Sequence, residues 1–537
     1  MSHKIELLDC TLRDGAYIVN ANFGIPAIKG IIKKMQDANV DIIECGWLKN
    51  APHTEGSSFF HLPKDLEPYL IQKSQRTSYV AMIDWDRYDV AQLPNNDEKL
   101  LSAIRVVFPY GKYREGIAVG KKIAEKGYHV YFQTSNTLAY SNAELVQLVE
   151  EVNQAAPEAL SIADTFGAMY PEDLERIVTV LHQHLSPEIK LGFHSHNNLQ
   201  LSFALSMYFV ERMAQTDRKC FVDASLCGMG RGAGNATTEL MASYLNRKHH
   251  CNYDMNQIMD AIDIYMPYFQ ENYSWGYSTP YFISGMYCCH VNNIAYLQEN
   301  HRTNAQDMRN IIESLELEDR RHYDYDLLEN KYLENQNRIV DDADLFVQLE
   351  EIFKNRTLLL IAPGKTCETK KEQIQAYIKE HNPIVIGVNA INPSYTYDYL
   401  FMVNMVRYQY AKDIYPAQFK NTQKILLSNI KIEPSENEWI INFNRVVKRG
   451  WKYFDNAVIN LLRLLDKLHV SDVAIAGFDG FKHHYNESYA DQLLPTLNPD
   501  NHWDELNEEI DAMFQELKAS IDGQMNLVFI TESIFDH

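Results

Sequence analysis

Ile5-Glu6-Leu7-Leu8-Asp9-Cys10-Thr11-Leu12-Arg13-Asp14-Gly15 opens as an apolar run of strand length and breaks into a charged turn. The same change recurs along the first 250 residues. Strand-like runs fall at 5–9, 41–46, 78–83, 104–108, 128–133, 159–163, 189–193 and 220–224. Amphipathic stretches of helix length separate most of them, at 25–38, 113–126, 143–156 and 171–184. The last begins with Pro171 followed by Glu172 and Asp173, a strong helix start. Strand–helix alternation implies a parallel sheet, and eight strands over this length predict a (β/α)8 TIM barrel. An open doubly wound sheet is the alternative.

A barrel of this kind places its chemistry just past the C-terminal ends of its strands. Asp14 follows the first strand, Glu44 ends the second and Asp164 follows the sixth. His194 and His196 end the seventh, and Ser225 ends the eighth. Two histidines two residues apart on a strand point to one face. With Asp14 they form a two-histidine, one-carboxylate set that leaves positions open on a six-coordinate cation. Surface polarity is the plain alternative for a lone His-x-His pair, and Asp9 is the competing carboxylate, placed earlier on its strand. Arg13 beside Asp14 suits an enolate oxygen, because guanidinium stays charged and donates in a fixed fork. Asn197 and Asn198 follow the histidines as orienting groups. The run Asp223-Ala224-Ser225-Leu226-Cys227-Gly228-Met229-Gly230-Arg231-Gly232-Ala233-Gly234-Asn235 is a strand entering a glycine-rich turn. Asn235 is a candidate fourth metal ligand, or a group standing behind the ligands.

The chain has 537 residues, enough for two or three domains, with 46% apolar and 23% charged residues. Its formal charge of −22 argues against general nucleic-acid binding. The eight cysteines form no Cys-x-x-Cys pair, which fits a reducing compartment. No charged-then-apolar leader and no run of membrane-spanning length stands out, so a cytoplasmic protein without a membrane partner is expected.

Several ordered motifs carry a resemblance. Leu8–Gly15, Ile162-Ala163-Asp164-Thr165-Phe166-Gly167-Ala168-Met169, Gly192-Phe193-His194-Ser195-His196-Asn197-Asn198-Leu199 and Asp223–Asn235 resemble the metal-dependent DRE-TIM aldolase/synthase superfamily. The 4-hydroxy-2-oxovalerate aldolase branch is the most similar. It is supported by Gly56-Ser57-Ser58-Phe59, by the Gly228–Asn235 glycines, and by Gly276-Tyr277-Ser278-Thr279-Pro280-Tyr281 leading to Gly285-Met286-Tyr287. The resemblance spans about residues 4–300. It implies a lyase that cleaves or forms a 4-hydroxy-2-oxo acid from pyruvate and an aldehyde through an enolate held on a divalent metal. Mn2+ is the first choice, with Mg2+, Co2+ or Zn2+ as alternatives.

Asp14, His194 and His196 are the implied ligands, and Arg13 would stabilise the enolate. Thr165 would stand where the aldolases carry a serine near substrate, and Tyr287 would approach the aldehyde oxygen. One departure is marked: Tyr17 stands where the aldolases carry a histidine base. A tyrosine near pKa 10 is a poor base at neutral pH. Nearby cations lowering it, a relay with Tyr287, or an imidazole from His53, His61 or His290 stay open. A homodimer is implied. An acyl-CoA-condensing synthase on the same barrel is a second reading, and a transferase or binding protein with a vestigial barrel is a third.

Residues 1–252 are thus read as the barrel, 253–340 as a helical extension completing the site, and 341–537 as a second, Rossmann-like α/β domain. Helices are expected at 255–266 and 283–298, with charge-rich, weakly periodic sequence around 313–344. The second domain restarts with a strand at 358–362, then Pro363-Gly364-Lys365-Thr366, a helix near 368–379 and a strand at 384–388. Further strands are expected at 423–426, 472–476 and 526–530, with a helix near 455–468. The Pro363–Thr366 turn lacks phosphate-loop spacing, so an ATPase is unsupported. Asn389, and Gly477-Phe478-Asp479-Gly480-Phe481 ahead of His483 and His484, resemble bacterial sialyltransferase-like Rossmann domains. Glycosyl transfer, binding of a nucleotide-linked ligand and a docking role stay open, so the chain is a candidate for two functions.

Overall fold

A computed structural model describes residues 4–537 except 72, 98, 302, 449, 452–455, 483–484, 497–502 and 522. His483 and His484 therefore lie outside the described residues. Two compact units are present. The first comprises residues up to Ile294 together with Leu317–His322, and the second comprises Ala295–Glu316 with Tyr323–His537.

In the first unit, eight parallel strands close on themselves: β1 (Ile5–Asp9), β2 (Ile42–Leu48), β3 (Ser78–Asp84), β4 (Ala103–Phe108), β5 (His129–Thr134), β6 (Ala159–Asp164), β7 (Lys190–Ser195) and β8 (Cys220–Ala224). Closure is explicit in the register. β1 pairs with β2 through Leu8↔Ile42 and with β8 from Ile5↔Cys220 to Asp9↔Ala224. Leu8, Ile42, Val80, Ala103, Tyr131, Ala159 and Phe221 fill the lower interior, one from each of seven strands.

Helices ring the outside where the apolar period is helical. Helix α1 (Ile25–Asp37) buries Ala27, Ile28, Ile31, Ile32 and Met35 against the sheet. Helix α2 (Asn142–Ala155) starts in a capping box, where the Ser141 hydroxyl accepts from Glu144 N–H and Glu144 accepts from Ser141 N–H. Helix α3 (Pro171–His184) uses Pro171 in its first turn and buries Leu174, Ile177, Val178 and Leu181. The β2–β3 and β3–β4 connections carry short 3-10 turns, Pro63–Leu66 and Val90–Gln92, in place of helices. Helix α4 (Met255–Asn272) lies so close to α1 that a Cβ on Gly30 would fall 1.9 Å from the Tyr265 ring. The helix expected at 283–298 is two, α5 (Thr279–Met286) and α6 (Val291–His301). The break falls at Cys288, whose φ of +50° ends a helix.

The second unit holds seven parallel strands: β9 (Thr357–Ile361), β10 (Ile384–Val388), β11 (Tyr399–Met402), β12 (Gln423–Leu427), β13 (Glu438–Ile441), β14 (Asp472–Ala476) and β15 (Asn526–Phe529). Their order is β13-β12-β11-β10-β9-β14-β15. Alternate residues feed two cores. Leu358 and Leu360 pack on one side with Leu461, Leu465 and Phe514; Leu359 and Ile361 pack on the other with Ile374, Tyr408 and Phe419. Strands buried on both faces read as continuous apolar runs, as the central β9 and β10 do. Charge-rich residues 313–344, weakly periodic in sequence, include a helix at Tyr325–Gln336.

Candidate metal centre

At the C-terminal mouth of the barrel, Asp14, His194 and His196 each turn a ligand atom to one point, and these atoms lie within 4.8 Å of one another. Each imidazole turns Nδ1 toward an oxygen of a neighbouring strand. His196 Nδ1 lies 3.2 Å from the Asp164 carbonyl oxygen, an acceptor, so Nδ1 carries a proton and Nε2, 3.5 Å from Asp14 Oδ2, is the nitrogen turned to the cluster. His194 Nδ1 lies 3.1 Å from Asp223 Oδ2, although outside the angle of a well-formed hydrogen bond. Both Nε2 atoms are buried without a hydrogen-bond partner among the described residues. Burial holds the His194 pKa below its usual value, with Asp223 opposing the shift and Arg13 adding to it. Its neutral form, the ligating one, is therefore favoured.

Asp14 is fixed from two sides. Arg13 Nη1 donates to Oδ1 at 2.6 Å and Asn235 Nδ2 donates to Oδ2 at 2.7 Å. Burial acts to raise this carboxyl, yet Arg13 and the two imidazoles hold it well below the ordinary carboxylate range. Asn235 Nδ2 also points at the Met229 carbonyl, which fixes the amide orientation and leaves Oδ1 as the outward group. That Oδ1 is buried and unpartnered as well. The glycine turn is built to permit this. A Cβ on Gly230 would sit 2.5 Å from Asp14 Oδ2 and 2.3 Å from Asn235 Nδ2.

Arg13 spans Asp14 and Glu44, the latter through Nε at 2.7 Å, and its Nη2 is buried with no partner. Arg13 Nη2, both His194 ring nitrogens, His196 Nε2 and Asn235 Oδ1 are thus buried polar atoms without a hydrogen-bond partner among the described residues. Leaving such atoms unpaired costs about 1–3 kcal/mol each. The donor set of two imidazoles, one carboxylate and one amide oxygen fits a divalent cation.

Beneath the ligands lies a layer that sequence reasoning did not single out. Arg105 on β4 is fully buried, with Nη2 2.8 Å from Asp223 Oδ2 and Nη1 3.3 Å from Glu44 Oε1. It also bonds Gln133. Its signal was a charged residue inside the apolar run Ala103-Ile104-Arg105-Val106-Val107-Phe108, which demands a buried partner.

The remaining named residues are distributed around this centre. Thr165 lies one residue past β6, its hydroxyl accepting from Asn136 N–H at 2.6 Å. The α5 helix is seated on the mouth, where a Cβ on Gly285 would lie 3.1 Å from Asn198 Cβ and from the Gly167 carbonyl oxygen. Tyr287 ends that helix with Arg320 over its ring at 5.4 Å, and it makes no hydrogen bond to the ligands among the described residues. Tyr17 is 45% exposed as a residue, with Arg231 over its ring at 4.9 Å. Burial around its hydroxyl still pushes its pKa up to about 12, against the pull of Arg231. Tyr17 is a neutral phenol at neutral pH.

Among the three imidazoles, His53 is committed at both nitrogens, to the Phe59 carbonyl and the Tyr69 hydroxyl. His61 Nδ1 meets the Lys49 carbonyl. Burial and Arg231 push His290 down to about 3, too weak to take up a proton near pH 7. Asp9 is tied to Thr11 and Thr238 and has no part in the ligand cluster.

The HMGL-like family model matches residues 112–264. A 4-hydroxy-2-oxovalerate aldolase of Thermomicrobium roseum is 29% identical over 272 residues, covering 48% of this chain and 71% of that protein. An oxaloacetate decarboxylase of Mycobacterium tuberculosis is 24% identical over 265 residues, covering 48% and 74%. The crystal structure of the N-terminal domain of a putative aldolase from Bacteroides vulgatus is 26% identical at a TM-score of 0.46, covering 54% of this chain and 95% of that one.

Proposed function

From the premise that this barrel belongs to the DRE-TIM metallolyase superfamily and stands close to 4-hydroxy-2-oxovalerate aldolases, we propose that the protein is a divalent-metal-dependent carbon–carbon lyase. Its substrates are pyruvate and an aldehyde on one side and a 4-hydroxy-2-oxo acid on the other. The observation that supports this reading is the convergence of Asp14, His194 and His196, whose ligand atoms lie within 4.8 Å of one another, with both Nε2 atoms buried and without a hydrogen-bond partner among the described residues.

Asp14, His194 and His196 would hold the cation, Mn2+ first among the candidates, with Asn235 Oδ1 beside them. When bound, it supplies Lewis acidity toward the carboxylate and 2-oxo oxygens of the substrate. Arg13 Nη2 donates to the oxygen that becomes the enolate, from a guanidinium already locked by Asp14 and Glu44. In the condensing direction the pyruvate methyl gives up a proton to water as the enolate forms, the enolate carbon bonds to the aldehyde carbon as the aldehyde π bond breaks, and the resulting alkoxide takes a proton. Tyr17, a phenol held at about 12, serves that transfer as the acid. In cleavage the 4-hydroxyl proton leaves, the same bond breaks to release the aldehyde, and the enolate carbon takes a proton from water to give pyruvate. Thr165 orients the substrate at the mouth, and Tyr287 closes it from the extension.

The test is the full chain loaded with Mn2+ and offered a panel of 2-oxo acids with aldehydes, scored by mass. The expected product has the summed mass of pyruvate and aldehyde. Failure of every 2-oxo acid on metal-loaded protein, or consumption of acetyl-CoA with release of free CoA, overturns the reading.

A further inference from the structure

The second unit carries a site of its own. Its strand order runs outward in both directions from β9, so the β9/β14 pair marks the reversal where an open parallel sheet leaves a crevice beyond its carboxyl ends. A crevice is present there, walled by Val388, Phe478 and Phe535 and floored by the turns after β9 and β14. The Pro363-Gly364 turn is already closed by the chain itself. Gly364 N–H donates to the Gly477 carbonyl at 2.8 Å, and Thr366 N–H donates to Asp479 at 2.7 Å. Those groups are not available to an anion.

The opposite wall is different. Helices α7 (Met405–Ile414) and α8 (Ala457–Lys467) both begin at this crevice, with Asn404 and Asn456 as their caps. Each cap satisfies one first-turn N–H, Arg407 at 2.9 Å and Ile459 at 3.1 Å. The first N–H groups of a helix have no intrahelical acceptor, and two such ends here raise the local positive potential. Arg407, in the first turn of α7, lines the same crevice and is 93% buried by its 7% exposure. Its guanidinium lies over Tyr489 at 4.9 Å and makes one long hydrogen bond, 3.4 Å, to the Asn389 carbonyl. No carboxylate lies within ion-pair distance of it among the described residues. A buried guanidinium without a counter-charge is costly unless an anion completes it.

We propose that this crevice binds the phosphate of a phosphorylated organic ligand, with Arg407 and the α7 and α8 N-terminal turns on the phosphate and the apolar wall against the organic body. Guanidinium pairs with phosphate in forked, charge-assisted hydrogen bonds, and helix N-termini add backbone donors. A nucleotide and a sugar phosphate share this chemistry.

The test uses the full metal-loaded chain and calorimetric titration with pyrophosphate, a nucleoside 5′-diphosphate, a hexose 1-phosphate and the parent nucleoside and hexose. Binding of at least one phosphorylated organic probe, and of neither parent, is expected; which one binds identifies the body. Arg407→Gln should weaken that binding about tenfold or more. Ala457→Glu is the second variant. It places a carboxylate at the first helical position, where the helix end favours it, so folding is preserved while the crevice becomes repulsive. Its melting temperature should match wild type while phosphate binding is lost and 2-oxo acid turnover is kept. Absence of binding by every phosphorylated probe, or wild-type affinity in Ala457→Glu, overturns the proposal.

Discussion

Replacing Asp223 with Asn removes one charge from the centre of the barrel while keeping its shape. Asp223 is fully buried, with Oδ2 2.8 Å from Arg105 Nη2 and 3.1 Å from His194 Nδ1. Two consequences separate. Breaking a buried ion pair costs about 3–5 kcal/mol, and because Arg105 keeps Glu44 at 3.3 Å the lower end, about 3 kcal/mol, applies. Loss of the carboxylate behind a metal-binding imidazole weakens affinity about 10–100-fold, or about 1.4–2.7 kcal/mol. Stability is read by urea denaturation in chelator, so that no metal contributes. Affinity is read by Mn2+ titration against a competing fluorescent chelator, on protein shown to be folded. Folded Asp223→Asn protein that binds Mn2+ as wild type does would refute the role given to the layer beneath the ligands.

Arg13→Lys loses the free Nη2 and the fork across Asp14 and Glu44; kcat should fall about 10²–10³-fold with metal content kept, and an unchanged kcat removes Arg13 from the chemistry. Gly230→Ala drives a methyl into Asp14 and Asn235, so metal content by mass spectrometry should collapse while far-UV circular dichroism is retained. Burial raises Asp9 from 3.8 to about 6, against hydrogen bonds from Thr238 and Thr11. The folded state therefore holds this proton more tightly than the unfolded chain. The stabilisation is full below pH 3.8 and is lost as pH rises through 6, a change of about 3 kcal/mol. The stability difference between wild type and Asp9→Asn should shift by about 2.4 kcal/mol between pH 4 and 7, and parallel urea profiles would contradict it. In the buried cluster, Arg13 and Arg105 oppose Asp14, Glu44 and Asp223, a net charge of −1 with neutral imidazoles. A divalent cation plus a monoanionic 2-oxo acid brings the cluster to neutrality, so pyruvate should tighten Mn2+ binding, and an identical Mn2+ Kd with and without pyruvate would oppose this.

The barrel was legible because its strands are buried on both faces and most of them end on polar residues. The expected 78–83, 104–108 and 220–224 differ from Ser78–Asp84, Ala103–Phe108 and Cys220–Ala224 by at most one residue at either end. His194 and His196 could be paired with Asp14 from sequence because the barrel's order brings first and seventh strands to one mouth. The second unit was read less completely. Tyr399–Met402 and Glu438–Ile441 are four residues each, too short for a period to declare itself, and Glu438 and Trp439 at the sheet edge break the apolar run. Such strands exist through pairing with β12, information that lies in distant sequence.

Two parts of the site were not legible, for one physical reason. Arg105 reaches Glu44, Gln133 and Asp223 across four strands, so its partners are set by closure of the sheet and not by spacing along the chain. Tyr17 depends likewise on the whole mouth. Its neighbours Arg13 and Arg231 suggest a lowered pKa to anyone counting cations, whereas burial outweighs them and drives it up to about 12. Charge is visible in a sequence, but desolvation is a property of the assembled interior. Tyr17 therefore stands at the mouth as a protonated phenol and not as a base, a state set by packing that composition does not reveal.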